Sequence, residues 1–156
     1  MTDPTFAADL ETVTADITNA RAELVSTVRR LSDADLGRAR RGGWAIRRVL
    51  QHVIEFEWLC AMAIATIRKE PVPERPSVSC EGQPVDEILC ILDSSRGALL
   101  RTIDGVDEDA FYRLERLGHE EYSILSALEN VAHHDHEHVG QISATMANTS
   151  GAARSP

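Results

Sequence analysis

Val131-Ala132-His133-His134-Asp135-His136-Glu137-His138-Val139-Gly140-Gln141-Ile142 carries four of the six histidines of this chain, and its periodicity decides how the chain folds. Around it Leu125, Leu128, Ala132, Val139, Ile142 and Met146 recur at steps of three, four or seven residues. That spacing puts side chains on one face of an α-helix, and the face must be buried against other helices. The histidines then separate by angle. At about 100° per residue, His134 and His138 differ by only about 40°, whereas His136 is roughly 160° from His134. His134 and His138 can therefore close on one metal ion, and His136 cannot join them. His133 is about 100° from His134 and borders the site or faces solvent.

A third nitrogen donor is available upstream in Trp44-Ala45-Ile46-Arg47-Arg48-Val49-Leu50-Gln51-His52, where His52 falls in the apolar stripe of another predicted helix. Taken alone, His52 reads as a core histidine satisfied by one hydrogen bond. Beside the His134/His138 pair it completes a three-histidine metal site, a ligand set that leaves coordination positions for water or substrate. The same helical arithmetic marks neighbours. Asn130 lies one turn before His134, Gln141 three residues after His138 and Glu55 three after His52, so each either orients a ligand or is a polar residue at a helix boundary. Arg48, one turn before His52, either offers a guanidinium to a carboxylate at the open site or faces solvent.

Four amphipathic segments stand out along the chain, which predicts an all-α fold. The first covers about residues 5–31 and buries Phe6, Leu10, Val13, Ile17, Leu24, Val28 and Leu31. The second begins after Gly42-Gly43 and continues to about Lys69, with Val49, Val53, Phe56, Cys60, Ala63 and Ile67 inward; Pro71, Pro73 and Pro76 stop it. Residues 70–84 form a proline-rich extended crossover, long enough to travel from one end of a bundle to the other. The third helix covers residues 85–103 and uses Ile88, Leu89, Leu92, Leu99 and Leu100 as its core face. Residues 111–118 read as irregular or as a short extended piece. The fourth helix starts near Tyr122-Ser123, or at the capping-box spacing Ser126/Glu129. Residues 1–147 form one domain, and 148–156 a frayed polar tail.

Composition narrows the functional classes. A net charge of −9 and a pI near 5.1 oppose general nucleic-acid binding. Arg38, Arg40, Arg41, Arg47 and Arg48 crowd the start of the His52 helix, as a solvated cluster balancing nearby acids or as a receiver for an anion. No apolar run approaches the roughly 20 residues of a membrane span, and the first residues lack a signal-peptide pattern, so the expected location is the cytoplasm, without a membrane partner. Cys60, Cys80 and Cys90 have no paired spacing and read as reduced thiols. Cys60 and Cys90 are expected inside helices as small buried residues, and Cys80, in the linker, to be the accessible one.

The Gly43-Trp44 helix start with His52 eight residues after the tryptophan, followed later by His134-x-x-x-His138-Val-Gly-Gln, resembles the DinB superfamily of DinB/YfiT-like metalloenzymes. The resemblance spans most of the chain. It implies a four-helix bundle of up-up-down-down type with the long link between helices two and three, and a divalent metal, zinc or nickel, on His52, His134 and His138. It also implies a homodimer and, in some members, thiol S-transfer or isomerisation with bacillithiol, mycothiol or glutathione. Ala45 departs from the serine or threonine cap common after the tryptophan, leaving Gly43 or water to cover the first amides. The expected function is that of a metal-dependent enzyme that activates a low-molecular-weight thiol or water for a small-molecule substrate. A hydrolase, or a non-catalytic metal-binding stress-response or interaction protein, would use the same ligands.

Overall fold

The computed structural model describes residues 3–151. Helix α1 (Pro4–Arg29) begins where the Asp3 carboxylate accepts the Thr5 N–H at 2.7 Å, covering one of the amides that a helix start leaves bare. A 3-10 turn (Asp33–Gly37), held by a reciprocal cap between Ser32 and Asp35, leads to α2 (Ile46–Arg68). Ala45 gives α2 no side-chain cap. The carbonyl of Arg38 does that work instead, accepting the Ile46 N–H at 2.9 Å, where Gly43 or water had been expected. Lys69 ends α2 in the left-handed conformation (φ 59°), just ahead of the prolines.

Residues 70–84 run extended along α2. The Trp58 indole donates to the Pro73 carbonyl at 3.0 Å, Gln51 accepts the Cys80 N–H at 2.8 Å, and the Arg47 guanidinium donates to the carbonyls of Cys80 and Gln83. Strapped this way, Cys80 is fully buried and belongs to the apolar cluster that also holds Val53, Val85 and Ile88, which corrects its expected exposure. The exposed thiol is Cys90. It follows Ile88 by two residues on α3 (Val85–Ile103), so it points away from the buried row Ile88, Ile91, Leu92, Leu99. Leu100, expected in the core, is 38% exposed for the same reason, being one step past Leu99.

After α3 comes a short helix α4 (Glu108–Tyr112) and a hairpin of β1 (Glu115–Leu117) and β2 (Glu120–Tyr122), paired antiparallel with Leu117 opposite Glu120. The undecided stretch is thus helical to Tyr112 and then extended. Gly118, at φ 70°, makes the two-residue turn that a side chain with a Cβ would strain. Helix α5 (Ile124–Gly151) starts at Ser123, whose hydroxyl accepts the Ser126 N–H at 3.1 Å while Ser126 returns the bond at 2.9 Å. The earlier of the two predicted starts is the real one. α5 passes Asn148, where the tail was expected to begin; residues 152–156 of that expected tail lie outside the described residues.

Two apolar clusters fix the direction of each helix. Phe6, Val13 and Ile17 share one with Ile64 and Ile67, Leu99, and Ile124 and Leu128; Leu24 and Val28 share the other with Ile46 and Leu50, Ile88, and Ile142. The order is therefore up-down-down-up, which corrects the up-up-down-down direction within the expected four-helix bundle. The reason is connection length: residues 30–45 fold back locally, so α1 and α2 are antiparallel, and only the crossover spans the bundle, making α2 and α3 parallel. α1 packs against α5 and α3, and α2 against α3 and α5. Among the described residues, α2 is long and apolar enough by length and composition to cross a membrane, against the expectation that none approaches that length. Its apolar residues are those of a core helix, with Val49, Leu50, Val53, Ile54 and Ile64 buried.

Between the two clusters lies a layer of charge. Arg21 of α1, Glu57 of α2, Arg96 of α3 and Asp135 of α5 are all at most 7% exposed. The Arg21 guanidinium donates to Glu57 at 2.6 Å and to Asp135 at 2.9 Å, and that of Arg96 donates to Glu57 at 3.0 Å and to Asp135 at 2.9 Å. Spare donors reach the carbonyls of Leu92 and Ile17. The quartet is neutral overall, with one member from each long helix. Replacing Arg96 by methionine leaves two buried carboxylates sharing one guanidinium, and unfolding in urea should show a loss of about 3–5 kcal/mol. Arg101→Met, on the exposed face of the same helix, should stay within about 0.5 kcal/mol.

Candidate metal centre

The groove between α2 and α5 holds three imidazoles. His52 projects from the first third of α2, and His134 and His138 from successive turns of α5. The Nε2 atom of His134 lies 3.0 Å from that of His52 and 3.0 Å from that of His138, and the possible ligand atoms all lie within 4.8 Å of one another. Nitrogens about 2.0–2.1 Å from a shared ion are themselves about 3 Å apart, so the donor set fits a divalent metal. Among the described residues, the group contains these three donors and no carboxylate or thiol.

Each ring is held in place. His138 donates its Nδ1–H to Gln141 Oε1 at 2.7 Å, which fixes the tautomer and leaves the Nε2 lone pair facing the other two rings. Phe56, one turn after His52, stacks on His134 with centroids 3.9 Å apart. Trp44 packs edge-on against His52 at 5.3 Å, and the Arg48 guanidinium lies over the indole at 5.1 Å. Burial, helped by the neighbouring imidazoles, pushes the His134 pKa down to about 4, and burial followed by the charge of His138 lowers that of His52. Both rings are therefore neutral at ordinary pH, the form that binds metal.

The remaining sequence candidates fall in different places. Gln141 orients His138 directly. Glu55 accepts a hydrogen bond from Gln51 at 3.2 Å and stands beside His52 without bonding to it. Asn130 lies exposed at the mouth of an adjoining cavity. His136 is exposed and meets Glu23 of α1 at 2.9 Å, and His133 and His119 face solvent. Of the arginine cluster, Arg38 pairs with Asp35 at 2.9 Å, Arg47 straps the crossover and Arg40 and Arg41 are exposed.

Sequence reading missed the supports of the site. Phe56 was legible only as a core residue, although its position one turn after His52 placed it beside the ligands. The charged quartet also left a signal: Arg21 is four residues after Ile17, Glu57 four after Val53, Arg96 four after Leu92 and Asp135 seven after Leu128. Every one occupies a core position of its helix.

Comparison with known proteins adds a family and a fold. The family model of the DinB superfamily matches residues 16–142. No curated protein matches. Among solved structures, the chain is similar to a DinB-like protein from Bacillus cereus ATCC 10987 with TM-score 0.69 and 14% identity, covering 90% of this chain and 92% of the other. It is also similar to TT2238, a four-helix bundle protein, with TM-score 0.67 and 20% identity, covering 86% of this chain and 98% of the other.

Alanine at His52, His134 or His138 should sharply reduce the metal retained after dialysis, measured by elemental analysis, while His136→Ala should keep it. Gln141→Ala should weaken metal affinity by about tenfold, since it frees the His138 ring without removing a donor. A second expectation concerns pH in the metal-free protein. The folded state protonates His134 only near pH 4, against an ordinary value of 6.5 in the unfolded chain. Between those values the unfolded state holds more protons, so stability falls as pH drops from 6.5 towards 4. Urea midpoints of chelator-treated protein should follow that fall, and His134→Phe should lessen it, leaving the smaller part that comes from His52.

Proposed function

Because the chain belongs to the DinB superfamily, we propose that it is a metal-dependent enzyme that activates a low-molecular-weight thiol for transfer to an electrophilic small molecule. The observation that carries this is the donor count: three nitrogens converge from two helices, and no fourth protein donor joins them among the described residues. A divalent ion, zinc or nickel, bound to such a set keeps positions open and lowers the pKa of a coordinated water or thiol. The remaining work belongs to the protein.

Gln141 holds His138 in the tautomer that offers Nε2. Phe56 and Trp44 wall the imidazoles with aromatic surface, which limits water and strengthens electrostatic interactions at the site. Arg48 is exposed, its guanidinium resting on the Trp44 ring, and its charge is felt at His52. From there it would receive the anionic end of a thiol cofactor of the bacillithiol, mycothiol or glutathione class. In the transfer, sulfur forms a bond to an electrophilic carbon as the leaving group departs with the thiol proton. With water in place of the thiol the same site would hydrolyse.

Cobalt substitution separates these outcomes. Adding the correct thiol to the cobalt protein should produce near-ultraviolet charge-transfer bands, because soft sulfur donors give them and imidazole and water do not. The bands should be absent in His138→Ala and should persist in Cys90→Ser, which removes the one exposed protein thiol. An unchanged spectrum with all three thiols, alongside binding of simple anions, would sink the transferase reading in favour of a hydrolytic one.

A further inference from the structure

The α2/α5 groove continues past the histidines. Phe56 and Ala63 of α2 and Ala127 and Asn130 of α5 follow His52 and His134 along the same helix faces, and with Leu117 and Tyr122 of the hairpin they bound a cavity of about 260 Å³. Phe56 is shared: it stacks on His134 and also forms the cavity wall. No Asp, Glu, Lys, Arg or His lines this space. Its two ionisable groups are neutral at ordinary pH, since burial pushes the Cys60 thiol up to about 12 and the bond to Glu120 raises the Tyr122 phenol. Another flank of α2 is different, with a cavity of about 370 Å³ that includes Arg48, Glu55 and Arg75.

We propose that the uncharged cavity binds the apolar part of the substrate, a single aromatic ring or a hydrocarbon group of similar size, with its reactive end towards His134. The size fits, since a cavity of about 150 Å³ lined by apolar side chains holds one benzene ring and the additional volume takes a short substituent. The chemistry fits as well: a carboxylate placed there would lose its hydration with no cation to replace it. Asn130 at the rim supplies an amide that can hydrogen-bond a neutral carbonyl or hydroxyl. The assignment rests on reading the three histidines as a metal centre.

The test is a methyl-detected NMR titration of the metal-loaded and the chelated protein with benzyl alcohol and with benzoate. In the chelated protein, where no metal can take the carboxylate, benzyl alcohol should shift the methyl groups of Ala63, Ala127 and Leu117 and bind at least about tenfold more tightly than benzoate. Ala63→Phe, which fills the space, should weaken it by about tenfold or more. Leu117→Ser, which removes one exposed-side wall without adding volume, serves if the larger residue prevents folding, and should weaken it by about fivefold. Both variants should keep the metal content of the parent. Equal affinity for benzoate in the chelated protein, shifts confined to other methyl groups, or affinity unchanged in the variants that fold would overturn the proposal. Metal uptake without benzyl alcohol binding removes this inference alone, whereas binding at these methyl groups in protein that takes up no metal removes the metal reading and, with it, the assignment of the cavity to that enzyme's substrate.

Discussion

The neutral quartet of Arg21, Glu57, Arg96 and Asp135 is the constraint on which the rest of the structure depends. It takes one charged side chain from each long helix and pairs it across the bundle axis, both guanidiniums meeting Glu57 at Oε2 while its Oε1 is left without a hydrogen bond. Ion pairs of this kind are expensive to desolvate, and apolar residues of similar volume often give equal or greater stability. What the quartet supplies is register. A helix that slid by one residue or turned by 100° would carry its charge into an apolar cluster and leave the opposing charge unpaired, so competing alignments are penalised by several kcal/mol.

That register aims the three histidines of the candidate metal centre. With Asp135 fixed towards the axis, His134 lies about 100° to one side of α5, and His138 about 60° to that same side. His136 lies about 100° to the other. The first pair therefore faces α2, where His52 waits, and His136 faces α1, where it meets Glu23. Core and site are thus neighbours in sequence and in energy: Asp135 is the residue between two histidines and also the anchor of both guanidiniums.

The outer layer completes the division of labour. The crossover, tied to α2 through Trp58, Gln51 and Arg47, covers one flank of that helix with polar backbone and leaves Arg48 and Arg75 over the rings of Trp44 and Trp58. The hairpin covers the other end of the α2/α5 groove with Leu117 and Tyr122. The histidines adjoin Arg48 through the Trp44 ring and the uncharged cavity through the Phe56 ring.

Periodicity by itself determined the four long helices, the crossover and the division of the histidines, because helical spacing converts directly into angle and each of those features lies within one segment. It also marked His52 as inward-facing and placed Gln141 within reach of His138. Which helices run parallel, however, depends on how residues 30–45 and the hairpin turn, and those turns are set by contacts such as Ile46 to the Arg38 carbonyl. The same limit applies to Cys80, buried by distant partners on α2, and to Cys90 and Leu100, whose helix face was fixed by the rotation of α3. Most of all it applies to the quartet. Each charge could be seen at a core position of its own helix, but only the packed bundle brings four charges from separate segments within hydrogen-bonding distance, and burial without those partners would have been prohibitive.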